Sequence, residues 1–231
     1  MRFVFASDSL KGTISSARAA AILEEEAARA FPNVACTRLA VADGGEGTVD
    51  AVVASLGGAL IEATVSDPLG RPVEATYGML PGNRAIIEMA AASGLPLLTH
   101  AERNPLLTST YGTGQLVLHA LSNGATEVTI AIGGSATNDG GMGAMRALGV
   151  RFLDSAKGEL EGTGADLARV SSIDTSGLDP LVSHARFRLL CDVDNPLLGP
   201  RGATRVFAPQ KGANPQQIEE LEHGMASFAR V

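Results

Sequence analysis

Cysteine is nearly missing: Cys36 and Cys191 are the only two in 231 residues, too few for a disulfide framework or a four-ligand zinc site. A reducing compartment is expected. Basic residues are also scarce, 18 against 25 acidic, for a net charge of −7 and a pI near 5.1. That balance argues against nucleic acid and anionic membrane surfaces, both of which attract basic patches. Long apolar runs are absent. The longest weakly polar stretch, residues 51–61, includes Ser55, Gly57 and Gly58 and falls short of the ~20 residues that span a bilayer. The amino terminus reaches Asp8 too early for the apolar core of a signal peptide, so a cytoplasmic location is expected. Tryptophan is absent and aromatics reach only 4%.

What is present is ordinary globular material, 45% hydrophobic and 19% charged, long enough to bury a core without a disulfide or metal staple. Glycine is the exception, 27 of 231 or about 12% against a usual ~7%. It clusters at the junctions between apolar segments.

The first 60 residues read as two strand–helix units. Residues 2–6 form a short apolar run. A helix follows from a cap at Ser15 to about Phe31, with Ala19, Ile22, Leu23, Ala27 and Phe31 at a 3.6-residue period. Residues 36–41 are the second strand. Thr48 is a candidate cap for a helix carrying Val49, Val52, Val53 and Leu56, with Gly57 and Gly58 as its exit. Strands alternating with helices predict parallel pairing through right-handed crossovers. From residue 61 to 98 short alternating strands surround the turns at 67–70 and 81–83, which places a domain boundary near residue 65. The α/β rhythm then returns: a helix through Leu116, Val117, Ala120 and Leu121, a strand at 127–132, a glycine-rich loop at 133–143, a helix to Leu148, and a strand at 187–191. Residues 216–230 form a last helix with Ile218, Leu221, Met225 and Phe228 on one face. It either docks on earlier segments or precedes a continuation that completes the fold.

In parallel α/β sheets, ligands bind beyond the carboxyl ends of strands. Four such junctions are rich in polar groups: Asp8-Ser9-Leu10-Lys11-Gly12, Asp43-Gly44-Gly45-Glu46-Gly47-Thr48, residues 133–141, and Asp192-Val193-Asp194-Asn195. Glycines let backbone amides approach phosphate oxygens, and the following helix adds its dipole. Asp8, Asp43, Glu46, Asp192 and Asp194 are hard oxygen donors suited to Mg²⁺. One of them could instead take the proton of a substrate hydroxyl. Lys11 can set a point charge on a phosphate or carboxylate. Taken singly, each loop has a plainer explanation: glycine for backbone geometry, Asp or Ser as helix caps, Thr137-Asn138-Asp139 as the cap of the helix near Gly143, and Lys11 as a solvated surface lysine. Only their coincidence at one sheet edge favours a site.

Other nucleotide signatures fail. No G-x-x-x-x-G-K-[ST] occurs, and the runs starting at Gly112 and Gly141 lack the last glycine of G-x-G-x-x-G. His100, His119, His184 and His223 make no metal pair by local spacing.

The combination of Asp8-Ser9-Leu10-Lys11-Gly12, Ala42-Asp43-Gly44-Gly45-Glu46-Gly47-Thr48, Tyr111-Gly112-Thr113-Gly114, Gly133-Gly134-Ser135-Ala136-Thr137-Asn138-Asp139-Gly140-Gly141, Cys191-Asp192-Val193-Asp194-Asn195-Pro196-Leu197 and Phe207-Ala208-Pro209-Gln210-Lys211-Gly212-Ala213 closely resembles the bacterial glycerate kinase family. The likeness runs in order from the first strand to about residue 213. It implies an α/β fold of two domains, a flavodoxin- or Rossmann-like three-layer domain formed by both chain ends and an inserted α/β domain with a mixed sheet. Residues 1–65 would begin the first and 66–231 form the second. Family members continue well past this stretch, so the rest of the first domain is expected beyond residue 231, and the 231 residues alone could be an inactive fragment. The resemblance further implies an active site in the cleft, ATP as co-substrate with Mg²⁺, D-glycerate as acceptor, and phosphoglycerate as product, the 2-phosphate ahead of the 3-phosphate. The implied setting is glyoxylate, glucarate or photorespiratory-type carbon salvage.

The expected site residues follow. Asp192 acts as general base or Mg²⁺ ligand, with Asp194 beside it as a second ligand. Lys11 and the loop amides bind phosphate or the substrate carboxylate. Asp8, Ser9, Asp43, Glu46, Gly133, Gly134, Ser135, Thr137 and Asn138 line the substrate and phosphate site. Oligomeric state is open, a homodimer included. Two other readings stand beside this one: a non-catalytic module that binds glycerate or nucleotide, and a hydroxy-acid oxidoreductase with a nicotinamide site.

Overall fold

Strands β1 (Arg2–Ser7) and β2 (Ala35–Ala40) pair in parallel, from Arg2 opposite Ala35 to Ser7 opposite Ala40. Helix α1 (Ser16–Ala30) supplies the crossover that a parallel pair requires. These elements belong to a computed structural model that describes residues 1–7, 13–14, 16–40, 44–45 and 47–231; the expected cap at Ser15 lies outside them. The stripe expected on α1 is only partly covered. Ala19, Ile22 and Ala27 are half-buried, but Leu23 and Phe31 remain 45% and 43% exposed. Two strands are too narrow to cover a whole helix face. Phe31 reaches Phe3 across 5.4 Å between ring centroids.

Helix α2 (Thr48–Leu56) starts one residue earlier than its expected cap implies. Gly47, in the left-handed region at φ 89°, occupies the cap position, and the Thr48 hydroxyl donates instead to Gly45 O at 2.8 Å. Val49 is buried and Val52 and Val53 are half-buried, whereas Leu56 is exposed. The helix lies on the next sheet, where a Cβ on Gly78 would fall 2.5 Å from Val53 Cγ2.

That sheet has five strands in the order β3 (Ala59–Ser66), β4 (Pro72–Leu80), β5 (Arg84–Glu88), β6 (Glu127–Ala131) and β9 (Arg186–Leu190). The pairs β3–β4 and β4–β5 are antiparallel, while β5–β6 and β6–β9 are parallel, a mixed sheet as expected. Strand β3 bonds to β4 along its length, so the sheet begins at Ala59. The hairpin after β4 turns through Gly82 and Asn83, both left-handed, as tight hairpins prefer. Helix α4 (Tyr111–Ser122) packs its Leu116, Val117, Ala120 and Leu121 over Tyr77, Ile87 and Val128 to form the main core. At its start, α4 meets α5 (Met142–Ala147) so closely that a Cβ on Gly114 would lie 2.7 Å from Ala147 Cβ.

The remaining named elements are α3 (Ala90–Ser93), the hairpin of β7 (Arg151–Leu153) and β8 (Ser172–Asp174), α6 (Pro180–His184), α7 (Ala203–Phe207) and α8 (Pro215–Phe228). Helix α8 is capped by Asn214, whose side chain accepts from Gln217 N. It docks Leu221 and Met225 into a second core with Met142, Phe152, Leu160 and Leu167, with Ile218 and Phe228 at its margin. Helix α8 thus docks on earlier segments, one of the two expectations for it. Strand β9 closes the five-stranded sheet as an edge, and Phe187, Leu189 and Leu190 are exposed.

Candidate active site

Because β5, β6 and β9 run parallel, their carboxyl ends at Glu88, Ala131 and Leu190 share one edge. The loop that follows β2 reaches this edge from the other sheet. Gly133 N donates to Gly44 O at 3.1 Å, and Ile132 N donates to Leu190 O at 3.3 Å. A Cβ on Gly44 would sit 3.4 Å from Leu190 O, and one on Gly133 would sit 3.0 Å from Gly45 Cα. Gly44 is also left-handed at φ 86°, a conformation that only glycine adopts without strain. Three of the four polar loops therefore meet at a point: the one after β2, the one after β6, and the end of β9, from which Cys191 and Asp192 follow.

Glu88 ends β5 at the same place. Its Oε1 accepts from Val49 N at 2.7 Å, so a carboxylate rests on the amino terminus of α2, where helix amides lack internal partners and the dipole favours negative charge. The sequence reading passed over Glu88. The available signal was an acid ending the apolar run Ala85-Ile86-Ile87.

The glycine-rich loop is pinned on several sides. Ala136 N donates to Ser93 O at 2.8 Å, Leu95 N to Gly134 O at 3.0 Å, and Thr108 Oγ1 to Ala136 O at 2.9 Å. Asp139 is 2% exposed. Its Oδ2 accepts from Thr110 N, Thr110 Oγ1 and Gly143 N, and its Oδ1 from Gly141 N, all at 2.7–3.2 Å. Burial pushes its pKa up, and these donors oppose the shift. Four donors from the described residues converge on the carboxyl. The capping role considered for Thr137-Asn138-Asp139 thus falls to Asp139, which holds the start of α5.

Lys211, 8% exposed, also enters this loop. Its Nζ donates to Ser135 Oγ at 2.7 Å and to Thr137 O at 2.6 Å. Burial lowers its pKa to about 8, partly offset by the charge of Asp139. Lys211 lies in the segment 207–213 that carried part of the resemblance, but nothing in its spacing linked it to a loop more than seventy positions earlier.

The expected site residues fall into three groups. Asp8, Ser9, Lys11, Asp43 and Glu46 lie outside the described residues. In the third loop, the Gly133 amide is engaged by Gly44, Gly134 is exposed in the left-handed region at φ 73°, and Ser135 is half-buried against Lys211. Thr137 and Asn138 are buried, Asn138 directing its amide to Thr204 Oγ1 of α7 at 3.3 Å. Asp192 and Asp194 are exposed, and among the described residues no hydrogen bond or ion pair engages either carboxylate. Nearby, Asn195 Nδ2 donates to Arg201 O at 2.9 Å, which fixes the loop after β9. Among the described residues no group of three or more His, Cys, Asp or Glu could hold a metal. Two uncommitted carboxylates nevertheless fit Mg²⁺, which takes one or two protein oxygens and completes its shell with phosphate and water. No helix among the described residues is long and apolar enough to cross a membrane.

Comparison with known proteins gives one consistent result. The profile of the glycerate kinase family matches residues 3–231. The chain is 48% identical over 99% of its length to a glycerate kinase of Bacillus subtilis, and 46% identical over 100% to a glycerate 2-kinase of Escherichia coli, covering 60% and 61% of those proteins. A crystal structure from Salmonella typhimurium LT2, whose description names glycerate kinase 2, superposes with a TM-score of 0.88 at 44% identity, over 100% of this chain and 62% of that one. The chain thus spans about three fifths of the length of these relatives.

Proposed function

Since the chain belongs to the glycerate kinase family, we propose that the protein transfers the γ-phosphoryl group of ATP to a hydroxyl of D-glycerate, with 2-phosphoglycerate as the expected product. The observation that carries this reading is the meeting of Gly44, Gly133 and Leu190. It gathers glycine-lined turns, a helix amino terminus and the Asp192 loop at one edge, which is what an anionic substrate and a nucleotide require. Phosphoryl transfer depends on positioning and charge neutralisation more than on covalent chemistry.

In this reading Asp192 accepts the proton of the glycerate hydroxyl as the oxygen attacks phosphorus. Asp194 would hold Mg²⁺, with Asp192 as the other ligand if it does not take the proton, and the ion when bound would neutralise charge on the phosphates. Gly134 and Ser135 face phosphate or carboxylate oxygens, and Lys11, Asp8, Ser9, Asp43 and Glu46 keep the roles that the sequence pattern suggests. Gly133, Thr137 and Asn138 support the loop from within, because their polar groups face other segments. The β1–β2 unit forms part of a flavodoxin-like domain and the five-stranded sheet the second domain, with the division between α2 and β3. A cytoplasmic setting, where ATP is at hand, belongs to the same proposal, and a homodimer is a matter for measurement of mass in solution.

The test is ADP release by the intact protein with and without D-glycerate, with the product identified by ³¹P NMR. Glycerate-dependent ADP and a phosphoglycerate are expected. Binding of ATP or glycerate without ADP would replace the kinase with a binding module. A fluorescence change with NADH would be needed for the oxidoreductase, which family membership does not favour.

A further inference from the structure

Lys211 closes the short 3₁₀ turn Pro209–Lys211 between α7 and α8, yet its charge is delivered to the glycine-rich loop. Burying an ammonium is unfavourable unless its donors are satisfied. Here two of three are taken by Ser135 Oγ and Thr137 O, and Asp139 supplies compensating charge from the same loop.

The consequence for Ser135 is specific. An ammonium can only donate, so the Ser135 oxygen is the acceptor in this pair, and its own proton must point elsewhere. Among the described residues no acceptor takes that proton. The backbone on either side is fixed by Ala136 N on Ser93 O and by Leu95 N on Gly134 O. Ser135 is half-buried beside exposed Gly134, so the residue borders the open side of the loop while its oxygen accepts from Lys211. A hydroxyl that accepts from a cation is also a better donor, since chained hydrogen bonds polarise one another.

We propose that Lys211 is a positioning residue that acts through Ser135, turning the Ser135 hydroxyl into a fixed donor for one oxygen of an anionic group of the substrates. That group is the carboxylate of glycerate or a phosphate of ATP. Lys211 itself does not touch it. The inference rests on the kinase reading for the identity of the anions, and its test separates the two.

In the intact protein, Lys211→Met, Ser135→Ala and the double variant are compared with wild type. D-Glycerate and ATP are titrated separately by calorimetry and varied separately in the ADP assay. Each single variant is expected to raise Kd and KM for one and the same anion by about tenfold, the loss of one charge-assisted hydrogen bond, and to leave the other unchanged. The anion affected identifies the group bound. The double variant is expected to match Lys211→Met, because both changes remove one linked interaction. Unchanged affinity for both anions overturns the proposal. So do additive losses, and so does an equal weakening of both anions with faster amide exchange throughout 133–138, which would mark Lys211 as a structural brace. If Lys211→Met does not fold, Ser135→Ala decides alone, since it removes only a half-buried hydroxyl. Absence of ADP from wild type would defeat the kinase reading, whereas the calorimetric arms would still judge Lys211 and Ser135.

Discussion

Glu88 Oε1 accepts from Val49 N at 2.7 Å, so the end of one strand caps a helix at a residue 39 positions earlier in the chain. The bond ties α2, and with it the turn at Gly44 and Gly45, to the edge where the loops converge. Removing the carboxylate leaves a helix amide without its acceptor. Glu88→Ala is expected to lower stability by about 1 kcal/mol, the usual cost of a lost helix cap, whereas Glu88→Gln keeps a carbonyl acceptor and loses less. Urea denaturation of the two variants checks the order, and equal losses would show that the position needs the negative charge of Glu88 and not merely an acceptor for Val49 N.

Glycines at different places should respond differently to the same added methyl. On Gly112, at the start of α4, a Cβ would collide with Ser66 O and lie 3.1 Å from Ala92 Cβ. Both neighbours belong to packed elements, so Gly112→Ala is expected to cost about 3 kcal/mol or more. Gly124 sits at φ 91° with nothing within 4 Å of a Cβ, so Gly124→Ala meets backbone strain alone, about 1 kcal/mol. Thermal melts of the pair measure the difference. Equal shifts would mean that α4 can move away from β3 without loss.

The same contrast explains what could be read from the sequence. Local patterns carried far: the stripe Ile218, Leu221, Met225 and Phe228 marks α8, and alternation around the turns at 67–70 and 81–83 marks β3 to β5, because periodicity and turn chemistry are properties of neighbours in the chain. The hairpin of β7 and β8 escaped, its three-residue strands being too short to show a period. The capping of α2 also escaped, because Gly47 caps by its left-handed backbone and not by a side chain. In the site, the sequence pointed to polar loops at strand ends but not to what links them. Gly133 with Gly44, Glu88 with Val49 and Lys211 with Ser135 are each pairs distant in the chain, and no local pattern encodes such a meeting.

Lys211 makes stability depend on pH in a known direction. Its pKa falls from 10.5 to about 8 on folding. Below pH 8 both states are protonated and the burial penalty is fully present. Between about pH 8 and 10.5 the unfolded chain holds a proton that the folded chain has released, so this group's contribution becomes more favourable as pH rises. Asp139 works at the other end: its raised pKa makes its contribution decline as pH climbs past the ordinary carboxylate range. Urea denaturation at pH 7 and pH 9.5 of wild type and Lys211→Met isolates the lysine. Wild type is expected to gain on the variant at the higher pH, and a constant difference would mean that the ammonium is solvated and that the contacts to Ser135 and Thr137 are not held in solution.

In the proposed reaction, Asp192 is the residue assigned to proton transfer. An aliphatic hydroxyl does not ionise at neutral pH, so attack on phosphorus is assisted by a base within reach. Asp192 follows β9 directly after Leu190 and Cys191, beside the contact between Leu190 and Gly44, and its exposed carboxylate has no internal commitment among the described residues. Asp192→Asn keeps the shape and removes the basicity. In the intact protein it is expected to lower turnover about 100-fold or more while the Kd for ATP stays near that of wild type. If Asp192 serves instead as a Mg²⁺ ligand, the loss should shrink as Mg²⁺ is raised, and Asp194→Asn should show the same dependence. A large loss that persists at saturating Mg²⁺ assigns the proton to Asp192, and near-normal turnover under those conditions removes it from the mechanism.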